Sequence, residues 1–195
     1  MPTSTAFLAV LLAVSDGTSL GLPDDRPQDT TAQFQDPPAD GSASTVILKA
    51  IPVWRLYIDD PYVRDAARRM VEQAADWLSF PQCKQLLLEF ADERGQPLVV
   101  KLTELGVTSG EYLRLIVFED GADRSRCRQS GILAFTTRGS RVIYLCGRTF
   151  MRAAQREPED VRAVVIHEML HSLGLGENPP SSREITRRVR QRCWR

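Results

Sequence analysis

The stretch PEDVRAVVIHEMLHSLG, residues 158–174, constrains the chain more than any other. Ala163, Ile166, Leu170 and Leu173 form one apolar side of a helix, Val165 and Met169 widen it, and Val164, His167 and His171 occupy the other side. A helix that is apolar nearly all round has to be enclosed by other elements, so the fold must be built around it. Its ends are marked. Pro158 opens the first turn, Glu159 and Asp160 suit the positive end of the dipole, and Gly174 follows the last apolar residue, Leu173.

His167 and His171 are the only two histidines among 195 residues. Four positions apart, they lie on one helix face one turn from each other, so both imidazoles reach a single ion. Left without partners in a core helix, their polar atoms would be costly to bury. Glu168 lies next to that face, close enough to act on a water there but not to serve as a ligand. Zinc favours nitrogen ligands at this spacing and, in catalytic sites, takes three protein ligands, so a third is expected nearby.

The remainder of the chain can supply a domain to hold this helix. A domain of ordinary size buries a sufficient core without help from metals or disulfides, so a metal here would be functional before structural. Twenty-five Lys and Arg balance 25 Asp and Glu, with a sequence pI near 6.7. That balance gives no field to attract a polyanion, which argues against nucleic acid as a partner. Residues 6–14 are apolar, too few to span a bilayer, which needs about 20. They fit the hydrophobic region of a secretory signal, with small residues at Ala13 and Ser15, although no Lys or Arg precedes them. Residues 1–15 are thus expected to be a signal peptide, and the protein to be secreted or periplasmic. Residues 16–44, rich in Pro, Asp, Ser, Thr and Gly, cannot bury enough surface to order themselves and read as a linker. The domain is then 45–195.

Within it, 45–58 is β-branched and aromatic and reads as a strand. Asp60 and Pro61 open an amphipathic helix that buries Val63, Ala66, Ala67, Met70, Val71, Ala74, Trp77 and Leu78, with Tyr62 on the same face. Residues 85–90 and 97–105 fit either helix or strand. Residues 112–121 read as a strand and 131–147 as a hairpin. A last helix runs from Ser181 towards Trp194, with Ile185, Val189 and Cys193 inward and its many arginines in solvent. The expected class is α+β, a small mixed sheet packed on two long helices, the second carrying the histidines. Four widely spaced cysteines allow three pairings. Because Cys127 and Cys146 flank the hairpin, that pair and Cys83 with Cys193 are preferred, the alternative being free buried thiols.

The segment HEMLHSLGLGE resembles, over eleven residues, the extended zinc signature H-E-x-x-H-x-x-G-x-x-H of the metzincin metallopeptidases. The resemblance implies a zincin-like domain holding Zn2+ through His167, His171 and Glu177. It also implies Glu168 as the general base and a protein or peptide substrate bound along a sheet edge, for which the 131–147 hairpin is the candidate, its other reading being an ordinary core hairpin. Gly174 stands at the family's Gly position, where a left-handed residue turns the chain back towards the ion. Two departures are plain. Glu177 stands where the family has His or sometimes Asp, and no Met follows Met169 to make a Met-turn. These place the chain with zincins broadly rather than with one metzincin family. Glu184 competes as third ligand, since gluzincins draw theirs from a later helix, but Ser181 to Glu184 also fits a capping box. Neither Tyr144 nor any arginine stands out as a stabiliser of a developing oxyanion. The expected protein is a monomer without a transmembrane span. A zincin-fold protein that binds zinc but no longer cleaves is the other function class; Glu168, which is not a ligand, favours the enzyme.

Overall fold

The first long helix begins where Asp60 accepts hydrogen bonds from the backbone N–H of Tyr62 (2.9 Å) and Val63 (3.3 Å), with Pro61 in the position that needs no donor. The computed structural model describes residues 53–194. The expected signal peptide, the linker and the first part of the 45–58 strand lie outside these residues. What is described of that strand is β1, Arg55–Tyr57. Helix α1, Pro61–Trp77, then buries the expected face from Val63 to Trp77, whereas Tyr62 is solvent-exposed.

The two ambiguous stretches are helical. Two single turns, α2 (Pro81–Lys84) and α3 (Leu86–Glu89), precede α4, Leu98–Leu105, which closes on Gly106 at φ 64°. The strand expected over 112–121 is corrected at its start: Ser109–Leu115 is a helix, α5, and only Val117–Asp120 is strand, β2. The deciding signal lies upstream. Thr108 and Glu111 form a reciprocal capping box, which satisfies two helix-end donors and starts a helix through residues whose alternation looks strand-like.

A 3₁₀ turn, Ser125–Arg128, leads to the hairpin of β3 (Ala134–Thr136) and β4 (Val142–Leu145). The sheet order is β1-β2-β4-β3, with β1, β2 and β4 parallel and β3 antiparallel on the edge. Phe118, Ile143 and Leu145 point into the core, while Phe135 and Tyr144 lie on the half-exposed face. Helix α6, Gly147–Arg156, was not anticipated by the sequence pattern; Phe150 is its one large buried side chain. Helix α7, Pro158–Ser172, is the central helix, packed against α1, α6, β3 and the last helix, α8 (Ser182–Cys193). The protein is therefore α+β, with a small four-stranded mixed sheet.

Both expected disulfides are present, Cys83–Cys193 and Cys127–Cys146. The first ties α8 to α2 across 110 residues, a closure that removes about 4–5 kcal/mol of chain entropy from the unfolded state. Ile185, Val189 and Cys193 are buried as expected. Ser181 caps α8 by accepting from the Glu184 N–H, but the Glu184 carboxylate turns to Arg188 (2.6 Å), so the capping box is only half formed. No helix among the described residues is long and apolar enough to cross a membrane.

Candidate metal centre

Ten residues of α7, all of those from Val161 to Ser172 except Arg162 and Val164, are buried, including His167, Glu168 and His171. The helix ends in a Schellman turn. Leu175 N–H donates to Leu170 O (3.1 Å) and Gly174 N–H to His171 O (2.9 Å), with Gly174 at φ 115°, a conformation few other residues adopt. The same turn returns the chain over the helix. The Leu175 carbonyl accepts from His171 Nδ1 (2.8 Å), and two residues later Glu177 faces both imidazoles. The hairpin is keyed to the same point, because Gly139 N–H also donates to His171 O (2.9 Å).

These contacts orient both rings. A carbonyl only accepts, so His171 carries its proton on Nδ1 and leaves the Nε2 lone pair free. His167 Nδ1 is 2.9 Å from Thr186 Oγ1 on α8, which can accept in the same way. The two Nε2 atoms face each other at 2.9 Å, and Glu177 Oε1 lies 3.3 Å from that of His171 and 3.7 Å from that of His167. Two imidazole nitrogens and a carboxylate oxygen thus converge on one point, and with Thr186 as acceptor both Nε2 atoms turn lone pairs to it. In the metal-free protein, burial and the neighbouring His171 lower the His167 pKa to about 4, so the ring is neutral at neutral pH, the form that binds a metal.

The donor set fits an ion. A tetrahedral zinc with bonds of about 2.0–2.1 Å needs ligand atoms about 3.3 Å apart, and the three separations bracket that value. His167, His171 and Glu177 form a group able to hold a metal. Glu184 does not join them, since Arg188 and Arg187 engage its carboxylate.

Glu168 stands beside this triangle. Burial pushes its carboxyl up to about 8 in the metal-free protein, and the charge of Glu177 adds to the rise; a hydrogen bond from the Thr136 backbone and the charge of Arg126 oppose it. Thr136 belongs to the sheet edge. Leu133 O accepts from Cys146 N–H (2.8 Å), so residues 133 and 135 turn their polar groups to β4, and Ala134 and Thr136 turn theirs outward. A cleft of about 450 Å³ runs between this edge and α7, lined by Ile132, Phe135, Arg126, Arg138 and the four α7 and turn residues above.

Thr186, the Leu175 carbonyl and Arg126 were not visible in the sequence as site components, because each comes from packing rather than spacing. Tyr144 is not in the cleft wall; it stacks on Phe135 with ring centroids 5.1 Å apart. Thr186→Val removes the acceptor on His167 Nδ1 and is expected to weaken metal binding by about 10- to 100-fold with the fold intact, measurable by competition with a chromophoric chelator.

No protein-family model matches the chain, and neither a curated protein nor a solved structure matches it.

Proposed function

We propose that the protein is a zinc-dependent metallopeptidase of zincin type, with His167, His171 and Glu177 as ligands and Glu168 as general base. The observation that carries this reading is the convergence of two imidazole nitrogens and one carboxylate on a point beside a further buried carboxyl group. Zinc bound there would supply Lewis acidity, lowering the pKa of water towards about 7 and polarising a carbonyl. A nearby dication also favours the Glu168 carboxylate over its acid form. Glu168 accepts a proton from the water as its oxygen attacks the scissile carbonyl carbon, and delivers that proton to the amine nitrogen as the C–N bond breaks. Thr136 N–H orients the carboxylate. The outward N–H and C=O of Ala134 offer an extended peptide a place to pair, as in strand addition to an open edge.

Two disulfides are compatible with an extracellular or periplasmic site of action. Unstructured casein should be cleaved by the zinc-loaded protein. A chelator should stop cleavage and added zinc restore it, followed by the appearance of new peptide termini. Zinc binding with no cleavage of casein would instead favour a non-catalytic binding module.

A further inference from the structure

The cleft wall opposite α7 carries two guanidinium groups, and only one makes a close ion pair among the described residues. Arg138 pairs with Glu93, and its Nη1 rests against Gly176, where an added Cβ would come within 2.9 Å of it. Arg126 makes no ion pair within 4 Å among the described residues, although its charge reaches Glu168. It is nevertheless held in place. Its turn, Ser125–Arg128, is fastened by Cys127–Cys146 to the end of β4, and its guanidinium lies 5.6 Å from the Phe135 ring centroid. Phe135 is anchored in turn by its stack on Tyr144, over which Arg124 lies at 4.6 Å.

This cation sits beside the unpaired edge of β3. A peptide laid along that edge places alternate side chains on the Phe135 side of the sheet, where Arg126 stands. Glu168 meets the same edge at Thr136, so the side chain facing Arg126 lies within about two residues of the bond that Glu168 can serve. An exposed guanidinium over an aromatic ring, with donors to spare, is matched by a carboxylate.

We propose that Arg126 binds a substrate carboxylate within about two residues of the scissile bond, making acidic peptides the preferred substrates. The proposal rests on the peptidase reading above. The carboxylate has two sources, an Asp or Glu side chain or the free C-terminus of a short peptide, and the same chemistry serves both.

The test is fluorescence anisotropy with zinc-loaded Glu168→Gln protein and four labelled peptides of one sequence. Three are C-terminally amidated and carry Glu, Gln or Lys at the variable position; the fourth is the Gln peptide with a free C-terminus. The Glu peptide is expected to bind about tenfold more tightly than the Gln peptide, with Lys weakest. That ratio should fall towards one when Arg126→Ala is added and recover in part with Arg126→Lys. Because the ratio compares peptides on one preparation, loss of folded protein does not alter it. Tighter binding of the free-terminus peptide than of the Glu peptide supports the proposal and assigns the carboxylate to a chain end. Equal binding of Glu, Gln and Lys peptides, with no gain from a free terminus, overturns it, as does a preference that survives Arg126→Ala. Cleavage of the same peptides by protein with Glu168 intact reports on the other reading. Acid-selective binding without cleavage refutes the peptidase and leaves Arg126 as a carboxylate site; cleavage without acid preference does the reverse.

Discussion

Glu168→Gln is expected to retain zinc and lose peptide-bond hydrolysis by about 10²- to 10⁴-fold, the range for removing a positioned general base. The substitution keeps the shape of the side chain. A glutamine carbonyl can still accept from Thr136 N–H, so the edge strand and α7 remain in register. What is lost is the capacity to take a proton from water and return it to the amine. Glu168 makes no ligand contact in the triangle of His167, His171 and Glu177, so zinc content should equal that of the wild type. Parallel assays of casein cleavage and bound zinc separate the two roles. Hydrolysis at the wild-type rate would remove Glu168 from the chemistry, and loss of zinc would make it a ligand.

The parts of the site that were legible in the sequence are those that lie on one element. His167, Glu168 and His171 share α7, whose Pro158 start, acidic first turn and Gly174 stop are all local signals. Glu177 follows from the same turn, because a Schellman end returns the chain along the helix it closes. Thr186 and Arg126 left no such trace. Thr186 looks like any polar residue on a basic helix until α8 packs on α7, and Arg126 is one of many arginines until its disulfide-bound turn meets the sheet edge.

The fold divides in the same way. Helix α1 carries an N-cap and α7 a Schellman end, each beside an apolar face, and the hairpin carries its turn glycine, Gly139. The 109–115 helix is hidden because Tyr112, Leu113 and Leu115 alternate with Arg114 as a strand would, and only the Thr108–Glu111 box distinguishes it. Helix α6 offers a single large apolar anchor, too little periodicity to stand out. The disulfides were legible because flanking positions around a hairpin restrict which cysteines can meet.

The second large effect is on the metal itself. In the proposed centre Glu177 is the one charged ligand, 3.3 Å and 3.7 Å from the two imidazole nitrogens, and it stands on a turn that also orients His171. Glu177→Ala leaves that turn's backbone hydrogen bonds in place but reduces the site to two imidazoles. Affinity should then fall by more than the about 10- to 100-fold typical of supporting partners. Glu184→Ala should lose only its ion pairs with Arg187 and Arg188, a half-buried contact along one helix of the kind worth about 0.3–0.5 kcal/mol. Zinc content after dialysis against a weak chelator, compared in wild type, Glu177→Ala and Glu184→Ala, tests the centre directly. The expected result is equimolar zinc in the wild type and in Glu184→Ala, with little in Glu177→Ala. A wild type that binds no zinc, or zinc lost only from Glu184→Ala, would contradict it.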